Sequence, residues 1–158
     1  MRRQRPIITL LAALALLMSI SVTSVSATEL RSRLFLLTLT GDREATPTCA
    51  PPAVCGDPDA VAGMALAVLP ARDKVCFVTA WKRIDGTVTA AHIHLAPIGV
   101  PGPVKVPLFA GPLNGTDSVY ACVPAMGFAG AILADPSAYY VNIHSTVYPA
   151  GAVRAQLG

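Results

Sequence analysis

From Arg33 onward the apolar residues fall into short runs separated by Gly, Pro, Asp and Asn, and no run keeps a 3.6-residue period long enough for a major helix. RLFLLTLT (33–40) reads as a first strand, ended by the turn residues Gly41 and Asp42. GDREATPTCAPPAVCGDPD (41–59) is a long loop, AVAGMALAVL (60–69) alternates as a second strand, and PARD (70–73) turns the chain. KVCFVTAW (74–81) is apolar on both faces, the pattern of a strand buried in the middle of a sandwich. After the RIDG turn, TVTAAHIHLA (87–96), VKVPLFA (104–110) and SVYACV (118–123) read as strands, joined by the turns PIGVPGP and GPLNGTD. PAMGFAGAILADPSA (124–138) holds a helical turn or two that Pro136 would end, and YYVNIHSTVYPAGAVRAQLG (139–158) supplies two closing strands split at Pro149 to Gly151. Short strands with Gly/Pro turns at this spacing predict an all-β, antiparallel sandwich or barrel.

The first 27 residues stand apart. Arg2, Arg3 and Arg5 precede an apolar run from Ile7 to about Val22, and the small residues Val25, Ser26 and Ala27 follow. That is the pattern of a secretory signal peptide cut after Ala27, with a run too short for a spanning helix, which leaves 28–158 as one domain. Export changes the charge picture. The chain carries 12 Lys/Arg and 9 Asp/Glu, and all three basic residues of the leader leave with it, so the exported part is formally neutral. Without a basic cluster it has no electrostatic footprint for nucleic acid or an anionic membrane. Four cysteines in an oxidising compartment read as two disulfides. Of the three connectivities, Cys49–Cys55 would close the CAPPAVC loop and Cys76–Cys122 would staple two distant strands; neither pair has zinc-knuckle spacing. The order Cys76, Trp81, Tyr120, Cys122 imitates an antibody domain, but Trp81 shares its strand with Cys76, so the spacing is wrong.

The chain has three histidines. In a strand, residues two apart share a face about 6.6–6.8 Å from each other, so His92 and His94 point one way while Ala91, Ile93 and Leu95 point the other. The same period groups Tyr140, Asn142 and His144 opposite Tyr139, Val141 and Ile143. Each strand therefore has an apolar and a polar face. The polar faces look at solvent, or the histidines hydrogen-bond backbone groups at the edge of a core, or the imidazoles gather on one ion, to which metal–nitrogen bonds of about 2 Å could bring them. No nucleophile elbow, P-loop or dinucleotide fingerprint occurs, and no catalytic residue is assigned.

LTGDREATP, KVCFVTAW, AAHIHLAPIGVPGPVKVPLF and YYVNIHSTVYPAGAVRAQLG together resemble the CHRD domain, a family named after repeats in the animal protein chordin and found also in exported bacterial proteins. Ala155 stands where the family usually has glycine, and CAPPAVC looks like a local elaboration. The resemblance implies an immunoglobulin-like or superoxide-dismutase-like antiparallel sandwich. It also implies an exported binding or interaction module with an unidentified extracellular, periplasmic or cell-envelope partner, and no membrane span once the leader is removed. The family has been compared with copper/zinc superoxide dismutase, whose copper-binding H-x-H strand, later histidine and arginine after a glycine turn resemble the order His92, His94, His144, Arg154. That likeness implies the alternative function, a mononuclear copper or zinc protein with superoxide-dismutase-like redox activity. Arg154 would then attract an anion, or else simply tie down the last strand, while Tyr140 and Asn142 would orient the imidazoles. With no fourth histidine, a dinuclear imidazole site is excluded.

Overall fold

The computed structural model describes residues 31–49 and 53–158; the signal-peptide expectation over 1–27 lies outside the described residues. Eight strands follow in chain order: β1 (Arg33–Thr40), β2 (Val61–Leu69), β3 (Lys74–Lys82), β4 (Val88–Leu95), β5 (Val104–Leu113), β6 (Ser118–Pro124), β7 (Tyr139–Ser145) and β8 (Val153–Gln156). Among the described residues one short α-helix, α1 (Ala129–Ala134), precedes β7 and stops before Pro136, whose ring cannot continue it. Among the described residues no helix is long and apolar enough to cross a membrane.

All pairings are antiparallel, in the order β5-β4-β7-β8-β1-β2-β3-β6. The end strands β5 and β6 are joined by only the turn 114–117, a stretch that spans at most about 18 Å. The sheet must therefore curl until its two edges approach. It folds into two layers, β1-β2-β3-β6 and β5-β4-β7-β8, and is all-β as the alternation predicts. Inward residues Phe35, Leu39, Met64, Leu66, Val75 and Phe77 of one layer meet Ala91, Ile93, Val106, Val141, Ile143 and Val153 of the other. Trp81 belongs to this core and packs with Phe109 of β5 at a centroid distance of 6.2 Å.

Two disulfides, Cys49–Cys55 and Cys76–Cys122, close the loop after β1 and bridge β3 to β6. One expectation about strand faces needs correction. β3 is buried on one face only: Val75, Phe77, Thr79 and Trp81 point into the core, while Val78 and Ala80 are exposed. Its apolar outer residues reflect an uncovered face, which periodicity cannot tell from a covered one. Conversely, every residue of β7 is buried, so its polar face is not turned to solvent.

Candidate metal centre

Strand alternation puts His92 and His94 of β4 and Tyr140, Asn142 and His144 of β7 on the outer face of the second layer. The register sets His94 opposite Tyr140, His92 opposite Asn142 and Ala90 opposite His144. The three imidazoles thus come from neighbouring positions of two adjacent strands. On the other side of β4 the ladder to β5 shifts between Ala91 and His92, and again between Ile93 and His94. Irregularities of this kind bend a strand and re-aim its side chains.

The rings converge. One nitrogen from each of His92, His94 and His144 can be chosen so that all three lie within 4.8 Å of one another. His92 Nδ1 stands 3.1 Å from His144 Nε2. At that distance the His92 Nδ1–H donates to the His144 Nε2 lone pair; two nitrogens held about 2.0–2.1 Å from one ion at tetrahedral angles would be about 3.4 Å apart, so the hydrogen-bonded pair lies close to the spacing of a shared ligand set.

The second nitrogens define the tautomers. His94 Nδ1 lies 2.8 Å from the Gly102 carbonyl and His144 Nδ1 lies 3.1 Å from the Pro149 carbonyl. A carbonyl only accepts, so each Nδ1 carries the proton and each Nε2 presents a lone pair. His94 Nε2 is buried and has no hydrogen-bond partner. Asn142 Oδ1 on the same face is unpartnered as well, and Asn142 stands close enough to raise the His94 pKa, so the two atoms mark a polar gap beside the imidazoles where a ligand or a water would satisfy them. All three rings favour the neutral, ligating form. Burial, with the neighbouring imidazoles adding repulsion, brings the His92 pKa down to about 4; burial likewise lowers His94 and His144, against the raising effect of their carbonyl bonds.

A polar roof covers this face. Arg154 of β8 is 1% exposed and donates from Nη1 to the Val100 carbonyl at 3.0 Å and from Nη2 to the Pro97 carbonyl at 2.9 Å. Its Cζ also sits 3.4 Å above the Tyr140 ring, and His94 stacks on that ring with centroids 4.7 Å apart. Because β8 and β4 flank β7 on opposite sides, Tyr140 is held between arginine and histidine. Gln156 fastens the same 96–103 loop through the Ala96 carbonyl at 2.9 Å, and the Tyr140 hydroxyl accepts the Gly102 N–H at 3.1 Å. Gly102 has no room for a side chain, since a Cβ would collide with the Leu95 carbonyl. Arg154 thus ties the 96–103 loop to the final strand through these two carbonyls.

Asn142 donates to the Glu44 carboxylate at 3.4 Å, and Glu44 also accepts the Ala45 N–H at 3.0 Å. Burial raises the Glu44 pKa, with these hydrogen bonds and Arg154 acting against it. Gly151 leaves the space that Glu44 fills, because a Cβ there would strike the carboxylate. Sequence reasoning did not single out Glu44, Gly102 or Gln156 as parts of the site. Glu44 had a usable signal as one of the two acidic residues of LTGDREATP, and Gly102 as a glycine of the GVPGPV turn; the carbonyl by which Gly102 orients His94 left none.

The family model for the CHRD domain matches residues 35–157, a span that holds every strand except the first two residues of β1 and every group of this centre. No curated protein and no solved structure gives a significant match.

Proposed function

Because the chain belongs to the CHRD-domain family, we propose that it acts as an exported binding module whose three imidazoles, those of His92, His94 and His144, hold one copper or zinc ion. The observation that carries the metal reading is the convergence of these rings about a buried, unpartnered His94 Nε2. An all-imidazole donor set suits either metal and offers nothing to the hard cations that prefer oxygen. Bound there, the ion would supply a Lewis-acidic centre or, as copper, a redox-active one.

The chain's own residues select the tautomers and aim the rings. Gly102 and Pro149 hold the Nδ1 protons of His94 and His144, and Tyr140 backs the His94 ring. Arg154 is occupied by loop carbonyls, so the geometry favours binding or metal storage over anion turnover. Export accords with the leader pattern of 1–27 and with two disulfides.

The test is electron paramagnetic resonance of the purified chain titrated with Cu(II), beside His144→Ala. We expect one specific signal per chain, with nitrogen superhyperfine structure, and its loss or conversion in the variant while the far-ultraviolet circular dichroism stays unchanged. A wild-type spectrum identical to that of the His92/His94/His144→Ala triple variant would overturn the reading.

A further inference from the structure

The outer face of the first layer, opposite the metal centre, is apolar and is covered by none of the described residues. Leu34 and Leu36 of β1 are 61% and 77% exposed, Val78 of β3 is 53% exposed and Tyr120 of β6 is 87% exposed. The ladder registers align them in rows across four strands. One row is Leu36, Ala65, Val78, Tyr120; the next is Leu34, Ala67, Cys76, Cys122; the third is Thr38, Gly63, Ala80, Ser118. None of these twelve residues is charged, and β2 contributes only small ones. The face is therefore a furrow along β2 between a leucine ridge on β1 and the Val78 and Tyr120 ridge.

We infer that this face is the contact between two copies of the chain, packed sheet to sheet about a two-fold axis that runs parallel to the strands between β2 and β3. Three arguments support a second copy as the occupant. First, the operation reverses each row, so Val78 of one copy lies over Ala65 of the other and Leu36 lies over Tyr120. Large side chains then meet small ones at the centre, and the bulkiest pair falls at the margins, where twisted sheets diverge. An isologous contact needs this kind of self-complementarity. Second, the area suffices. The three apolar rows give a footprint of about 400 Å² per copy, and four strands about 4.8 Å apart taken over their full length of about 27 Å, lysine-bearing ends included, give about 500 Å², hence about 1,000 Å² in total, the lower bound for a specific interface. Third, the charges agree. The outer face carries lysine only at the ends of β3, Lys74 and Lys82, and the two-fold sets them over the β2 ends Leu69 and Val61 of the second copy, not over each other. The inference does not depend on the metal reading.

Sedimentation velocity on the purified chain, over a concentration series reaching about 100 μM, tests it beside Val78→Asp, Leu36→Asp and the exposed-loop control Ile98→Asp. The expected result is a concentration-dependent dimer that each face variant weakens at least about tenfold and the control leaves intact. All variants should keep wild-type circular dichroism, because these side chains are exposed in the monomer. A wild type that stays monomeric throughout overturns the inference. So does a dimer untouched by both face variants, or a monomer whose Val78-dependent binding is to neutral lipid vesicles instead.

Discussion

His94 is held at one nitrogen by the Gly102 carbonyl, backed by Tyr140, and left with a buried lone pair at the other. That combination predicts His94→Ala to abolish stoichiometric metal uptake, measured by competition with a chromophoric chelator, while shifting the melting temperature of the metal-free chain by only a few degrees. pH dependence follows from the same burial. Each histidine has a folded pKa below its ordinary value of 6.5, about 4 for His92, so its stabilising effect is complete above pH 6.5 and is lost as pH falls toward the folded value. Glu44, raised by burial, acts in the opposite sense, so the informative comparison is with the triple His→Ala variant. Urea midpoints should fall between pH 6.5 and about 4 more steeply in the wild type than in that variant. The grouping of His92 with His94 was legible from a two-residue period. The approach of His144 was not, because it depends on the β4–β7 register, which sets Ala90 opposite it.

At the level of elements, the metal centre is a strand pair with a fastened loop over it. Arg154→Met would leave the Pro97 and Val100 carbonyls without their partner; two lost bonds of this type cost about 2–4 kcal/mol in denaturant unfolding. It should also weaken metal binding about 10–100-fold, because the 96–103 loop carries the carbonyl that orients His94. The disulfides separate by the chain they close. Chain-entropy reasoning gives about 4 kcal/mol for Cys76–Cys122, 46 residues apart, and about 2 kcal/mol for Cys49–Cys55, 6 apart, when each is replaced by an alanine pair. Most strand boundaries followed from alternation and turn residues. β5 exceeds its expected end at residue 110 and runs to Leu113, since Gly111 and Pro112 are turn formers by composition that here continue a strand edge. β3 showed the limit of patterning in another way: Val78 and Ala80 are apolar whether or not anything covers them.

For the molecule as a whole, the two layers carry different chemistry on their outer faces, three imidazoles, two buried and one half-buried, on one and an apolar plateau on the other. The alternation of strands and turns was enough to give an all-β sandwich, because each inward residue set needs a second layer to cover it. The joining of the two layers into one continuous sheet was not, since it rests on the β8-to-β1 pairing of Thr40 with Arg154, a contact between the two ends of the domain. Whether one ion sits on the three histidines is read by elemental analysis. The chain, purified from an exported preparation without chelator or affinity tag, should contain close to one copper or zinc per molecule, and the His92/His94/His144→Ala variant prepared alongside should contain none. A metal-free wild type that takes up neither ion on titration, or a variant that retains its metal, would contradict the account.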